Sequence, residues 1–207
     1  MQMVKKHHYS RRVVGAAACY GLIEDGELLG CCVFSIPASY TLCRGVCGPD
    51  YKSHVLELSR LVVITKAKNA ASRLIGGSLR KLGNHIVVSY ADCNEHVGHV
   101  GYVYQATNWI YTGRGNAEPK WVHPTTGEVV SYTRRHIDDK AERLGLNWKD
   151  LIKVPQLGKH RYVTFTGSRE FKQSAKNELR YSVLSYPKGD TKRHAPSDVK
   201  ESQMRMF

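Results

Sequence analysis

Hydrophobic spacing divides the chain into runs with two different periods. Between 70 and 82, Ala71, Leu74, Ile75, Ser78, Leu79 and Leu82 recur every three or four residues, while Arg73, Arg80 and Lys81 fall off that stripe. This is the period of one helix face, and Gly83-Asn84 supplies a C-terminal cap. The runs on either side, 55–64 and 85–90, are short and rich in Val, Ile and Leu, as strands are. Strand, helix and strand with connections this short predict a right-handed crossover and a parallel strand pair. Upstream, Tyr20-Gly21-Leu22-Ile23 and Leu28–Phe34 flank Asp25-Gly26, which predicts a tight hairpin, and Pro37 ends it. An Ala-rich helix is expected over 4–18, a loop where Gly45, Gly48 and Pro49 cluster, and a second helix over roughly 97–107.

The character changes after Gly113. Residues 114–158 are rich in charge, Gly, Pro and Trp, and predict a hairpin turning near Thr126-Gly127 and a helix around 138–144. Residues 159–165 return as a strand, and the chain from about 187 is expected to be loose. The expected fold is a single α/β domain over 1–188, a mixed twisted sheet flanked by helices. Residues 114–158 form an inserted basic hairpin and helix in this reading, and 189–207 a flexible tail.

Charge narrows the partners. The 207 residues hold 31 Lys and Arg against 18 Asp and Glu, a net charge of +13. That excess, spread along the chain, favours a polyanion, because cations that neutralise phosphates release condensed counterions. Six cysteines occur without a CxxC pair, so Cys31-Cys32 is expected to be reduced core and Cys43/Cys47 lacks the second ligand pair of a zinc site. No apolar stretch reaches the ~20 residues that span a bilayer. Lys5-Lys6 before 13–19 imitates a lipoprotein signal, but its apolar part is too short. A reducing cytoplasm is the expected location.

Several positions carry candidate chemistry. The junction from Val62 to Ser72 runs from strand to helix through a loop of small residues with Lys66 and Lys68. Backbone N–H groups and the helix dipole at such a place suit a phosphate, although an ordinary solvated loop has the same appearance. Arg60 falls on the face of 55–64 that also holds Leu56, Leu58, Val62 and Ile64, with Glu57 and Ser59 facing the other way. An arginine in an apolar stripe needs an anion, either a carboxylate of the fold or a substrate group. Asp92 follows a strand at its carboxyl end, where open α/β sheets place ligands. It can be a base, a cation ligand or a turn residue. Lys120, Arg134, Arg135, Lys159 and Arg161, interleaved with Trp121, Tyr132, Trp148 and Tyr162, suit phosphates and stacked bases. Cys93, His96 and His99 are read mainly as a loop.

Tyr104-Gln105-Ala106-Thr107-Asn108-Trp109 closes an order of strand, phosphate loop, helix, strand and tyrosine-bearing helix that resembles the GNAT acyltransferase fold. With Glu57–Leu61, Asn69–Arg73, Ser89–Asp92, Gly98–Gly101 and Lys159–Tyr162, the chain resembles the Mom proteins of Mu-like phages over roughly residues 7 to 188. The resemblance implies conversion of adenine in double-stranded DNA to a methylcarbamoyl form, from acetyl-CoA and with iron, shielding phage DNA from restriction. It implies catalytic roles for Asp92, Arg60, Tyr104 and Ser59, and CoA contacts from Lys66, Lys68, Asn69, Ser72 and Arg73. It also implies a metal site of His8, Tyr9 and Asp92. The loop Lys68–Arg73 departs from the Gly-rich GNAT form, and Asn108-Trp109 stands where GNAT proteins carry Gly-Phe. Acetylation of tRNA, protein or a small amine, and a DNA-binding protein without catalysis, remain alternative expectations. A homodimer is compatible with any of these.

Overall fold

The structure is a computed structural model that describes residues 2–93, 98–132, 134 and 136–189. Helix α1 (Gln2–His7) precedes a hairpin of β1 (Ala18–Glu24) and β2 (Glu27–Ser35). Asp25 and Gly26 at its tip have φ of 50° and 80°, the left-handed pair that matches a two-residue turn to the strand twist. Helix α2 (Tyr40–Gly45) and a 3-10 turn (Pro49–His54) lead into β3 (Val55–Val63), α3 (Ala70–Lys81), β4 (Ile86–Ala91), α4 (Tyr102–Gln105) and β5 (Ile110–Arg114). Then come β6 (Lys120–Val122), β7 (Val129–Ser131), α5 (Ile137–Glu142), β8 (Ile152–Val154), β9 (His160–Phe165) and α6 (Arg169–Asn177).

The main sheet runs β1-β2-β3-β4-β9-β5, antiparallel throughout except between β3 and β4. This is the mixed, helix-flanked sheet that the sequence predicts. One face packs Leu56, Leu58, Val87 and Tyr162 against Leu74 and Ile75 of α3 and Tyr104 of α4. The other packs Val55, Ile86, Val88 and Val163 against Cys43 of α2 and Ala175 of α6, with Val4 of α1 seated on Val33 and Val62. The parallel pair is short. Val55, Leu56 and Glu57 face Ile86, Val87 and Val88, and beyond them the two strands part.

Several elements depart from the sequence expectation. The helix expected over 4–18 stops at His7; Ala17 instead donates its N–H to Phe34 O at 2.8 Å, so pairing to the sheet overrides the helix preference of alanine. The helix expected over 97–107 is only Tyr102–Gln105. Gly98, Gly101 and Asn108 adopt positive φ around it, and residues 94–97, with His96, lie outside the described residues. Helices α2 and α6 and strand β5 arise where no element is expected. Pro187 and Gly189 are tied down rather than loose: Gln105 Nε2 donates to Pro187 O at 3.2 Å, and Gly189 N donates to the Tyr102 hydroxyl at 3.2 Å. Residues 190–207 lie outside the described residues.

Between β5 and β9, β7-β6-β8 form a second sheet. Trp121, Ile137, Ala141 and Leu151 close a core of their own beneath it. Eight Lys and Arg against six Asp and Glu occupy residues 114–158, so the segment is nearly balanced and most of the positive excess lies elsewhere.

Gly101 allows the closest approach on the α4 side. Its φ is +82°, and a Cβ there would stand 2.6 Å from Tyr162 Cε2 and 2.9 Å from Tyr104 Cδ2. Gly101→Ala is expected to destabilise the protein by about 1–3 kcal/mol. Gly83→Ala, which meets open space, should stay within about 0.5 kcal/mol of the parent. Denaturant melts of both variants check this.

Candidate active site

The place where β3 and β4 part gathers the chemistry. As the ladder ends, Ser89 of β4 donates its hydroxyl to Leu58 O of β3 at 2.9 Å, and the same oxygen lies 2.8 Å from the Tyr104 hydroxyl. Tyr104 therefore reaches the parting from the α4 side, buried, with its phenol pushed up to about 12 by desolvation despite the Ser89 bond.

A bulge decides which side chains meet there. Val33 faces Arg60 while its neighbour Phe34 faces Leu58, so Ser59 is an extra residue without a partner and donates its hydroxyl to Val33 O at 3.1 Å. The bulge shifts the alternation by one. Leu56 and Leu58 before it, and Leu61 and Val63 after it, pack on the α3 face, whereas Val62 packs with Val4. Arg60 thus leaves the apolar stripe and joins the side of Glu57, which corrects the expected facing. Its guanidinium donates from Nε to Arg12 O at 2.9 Å and from Nη1 to Ser59 O at 2.6 Å. Backbone carbonyls supply the partners that the sequence argument sought in an anion.

Two carboxylates stand in different surroundings. Asp92, buried just beyond the end of β4, binds Lys159 Nζ through Oδ2 at 3.0 Å. Lys159 is raised above its ordinary value: burial opposes its charge, but the bond and the charge of Asp92 outweigh it. Glu57 is raised by desolvation, which Arg60 and Lys159 only partly offset. An ion-paired aspartate is a poor proton acceptor, whereas a desolvated glutamate near opposing cations is poised to take one. Tyr9 belongs to the same field. Desolvation raises its phenol, against Lys159 and Arg60 and with Asp92 and Glu57. Residues 8, 9, 60, 92 and 104 are thus brought together, and Glu57, Ser89 and Lys159 join them. No sequence spacing marks Glu57 or Ser89. The sequence pattern suggests DNA contact for Lys159 instead.

The residues expected to hold iron do not suit a metal as they stand. His8 is 6% exposed, and its Nδ1 accepts from Ser10 N at 3.1 Å and lies 2.8 Å from Ser10 Oγ. Its ring is stacked on Tyr9, with centroids 4.4 Å apart and planes at 29°. Tyr9 is held protonated, and Lys159 occupies an oxygen of Asp92. Among the described residues no group of three or more His, Cys, Asp or Glu side chains could hold a metal ion. Cys43 and Cys47 are buried core thiols, the latter pushed up to about 12 by burial.

The other expected contacts are scattered. Lys66, Lys68, Asn69 and Arg73 are exposed at the start of α3. Asn69 has φ 61°, and Ser72 Oγ donates to its carbonyl at 3.0 Å. Of the expected DNA contacts, Lys120 is half-buried on β6. Arg134 pairs with Asp138 at 3.1 Å and lies over the Trp148 ring at 3.9 Å. Arg161 is packed rather than presented: it donates to Thr112 Oγ1 at 2.9 Å and Thr112 O at 3.1 Å and stacks on Tyr181 at 3.5 Å. Arg135 lies outside the described residues. A cavity of about 450 Å³ lies by the 3-10 turn and α6, lined by Cys47, Asp50, His54 and Arg180 among others. It contains none of these residues. No helix among the described residues is long and apolar enough to cross a membrane.

The sequence pattern of the Mom protein family matches residues 1–188. The chain belongs to that family. No curated protein matches the chain significantly. Among solved structures it is similar to an agmatine N-acetyltransferase variant in its apo form, at 13% identity and a TM-score of 0.35, covering 71% of this chain and 75% of that one.

Burial lowers the His8 imidazole to about 4, with Arg60 adding to the effect. Its unfolded value is near 6.5, so the unfolded chain binds the proton first on acidification. The stabilising contribution is complete above pH 6.5 and declines as pH falls toward 4. His8→Gln should lose less stability than the parent between pH 7 and 4.5, as chemical denaturation at each pH will show.

Proposed function

We propose that this Mom family member is an enzyme that transfers a group derived from acetyl-CoA to the exocyclic amine of adenine in double-stranded DNA. Protection of phage DNA follows from the family resemblance. Direct transfer gives an N6-acetyl adenine, and the methylcarbamoyl form that the resemblance implies needs a nitrogen donor besides acetyl-CoA. The observation that carries the reading is the convergence of Glu57, Arg60, Asp92, Lys159 and Tyr104 where β3 and β4 part. Catalysis of group transfer needs a base, an acid and fixed positive charge together.

In this reading Glu57 takes the proton from the attacking amine as its nitrogen bonds to the acyl carbon. The carbon–sulfur bond breaks, and the departing thiolate receives a proton from Tyr104, whose raised value keeps it protonated. The guanidinium of Arg60 and the Asp92–Lys159 pair fix charge around the carbonyl oxygen. Lys66, Lys68, Asn69, Ser72 and Arg73, at the start of α3, receive the CoA phosphates. Iron enters no step, because His8, Tyr9 and Asp92 are engaged as described above.

Duplex DNA is the acceptor in this reading, and the net charge of +13 supports it. Because the segment 114–158 is nearly balanced, contacts from the main fold are expected to dominate. The exposed Tyr40 ring has the Arg44 and Lys52 cations 5.6 and 6.0 Å from its centre, a stacking surface flanked by phosphate ligands.

Expression in a bacterium, digestion of total DNA and mass spectrometry of the nucleosides test the proposal. A heavier deoxyadenosine is expected, absent with Glu57→Gln and with Asp92→Asn at unchanged melting temperature. Unmodified DNA beside newly acetylated tRNA or protein would move the activity to another acceptor. Replacing Lys66 and Lys68 by Ala should weaken CoA binding by about 1–3 kcal/mol, measured by calorimetry; unchanged affinity would take the cofactor away from this loop.

A further inference from the structure

We infer that Tyr9 is the stacking surface for the extruded base, with His8 as its backing ring, and that neither residue serves as a metal ligand. The inference rests on the reading of the chain as a DNA base-modifying enzyme and specifies how that site receives its substrate.

The geometry of the first turn of chain after α1 carries it. Val4 is buried against Val33 and Val62, which fixes α1 on the sheet. His8 N donates to Val4 O at 3.0 Å and Arg11 N to His8 O at 2.9 Å, so the backbone on both sides of Tyr9 is held. Ser10 holds the imidazole by its Nδ1. A neutral, buried ring therefore lies under Tyr9 and is nearly parallel to it. Tyr9 is 48% exposed, and His8 is its only ring neighbour among the described residues. One face is thus covered by a rigid ring while much of the side chain is open.

That surface lies within the field of Lys159, Asp92, Arg60 and Glu57, the groups that the reaction needs. A nucleobase is planar and loses its stacking partners on leaving the duplex, so an enzyme that works on it must offer a replacement face. Aromatic side chains do so without reading sequence. A pre-stacked pair suits this better than a single mobile ring, because its orientation is settled before the base arrives. A metal ligand has opposite requirements. It must present a lone pair, and the nitrogen of His8 that accepts from Ser10 is already used.

The hydroxyl separates the two roles. Stacking needs the ring and survives its loss; ligation or proton donation needs the oxygen. Duplexes in which 2-aminopurine replaces adenine report base extrusion as a rise in fluorescence, while anisotropy of an end label reports binding. The wild type and Tyr9→Phe are expected to bind with equal affinity and to brighten the probe equally. Tyr9→Leu and Tyr9→Ala should still bind but lose most of the rise. In the modification assay they should raise KM about 10-fold or more, the range of a lost base stack, with a smaller change in kcat. Equal melting temperatures for the Leu and Phe variants exclude misfolding as the cause. Loss of the signal with Tyr9→Phe as complete as with Tyr9→Ala, or its retention in Tyr9→Leu, overturns the inference. Wild-type protein that binds without brightening the probe, and leaves DNA unmodified, overturns the parent reading and this one with it. Wild-type extrusion with unmodified DNA overturns only the transfer reaction.

Discussion

When β3 and β4 stop pairing beyond Glu57 and Val88, the backbone groups along the gap lose their ladder partners and must find others. A buried carbonyl left alone costs about as much as a lost hydrogen bond. Ser89 meets that demand for Leu58, and Tyr104 comes to the same hydroxyl from the other face. The gap is therefore a built opening, bridged by one side chain and backed by one tyrosine. The bulge at Ser59 belongs to the same solution: by shifting the alternation it brings Arg60 to the side of Glu57.

Around this opening two carboxylates meet different surroundings. Asp92 is ion-paired with a lysine at 3.0 Å, while Glu57 carries a desolvation penalty that its cations do not remove. A raised carboxyl of this kind is how a site keeps a proton acceptor within reach of neutral pH. Lys159 connects the two, since it binds Asp92 and also lowers Glu57. Its charge thus acts beside an acid of the opening, while its side chain stays 49% exposed.

The sequence makes much of the frame legible. The helix at 70–81, the hairpin at Asp25-Gly26 and the parallel crossover follow from period and turn chemistry. His8, Tyr9, Arg60, Asp92 and Tyr104 are brought together, positions that the family resemblance as well as the residue pattern points to. Failures have local causes. A bulge inserts one residue and reverses every facing after it, and no residue type at Ser59 announces it. The alanines at 16–18 favour a helix in isolation but lie at the end of a strand. Short helices such as α2 and α6 owe their existence to buried contacts from Cys43 and Ala175, which single-sequence periodicity cannot weigh. Glu57 is not legible in the sequence, because its environment is set by desolvation and neighbouring charges, not by spacing.

The second sheet has a core closed on itself by Trp121, Ile137, Ala141 and Leu151. Substitutions on its outer surface share few partners with the main sheet, and effects at sites without shared partners add independently. Arg134 illustrates this, since its companions Asp138 and Trp148 both lie within the segment. The chemistry and the periphery of the molecule are accordingly free to drift at different speeds. Residues 114–158 can change what they touch while the opening between β3 and β4 stays as it is.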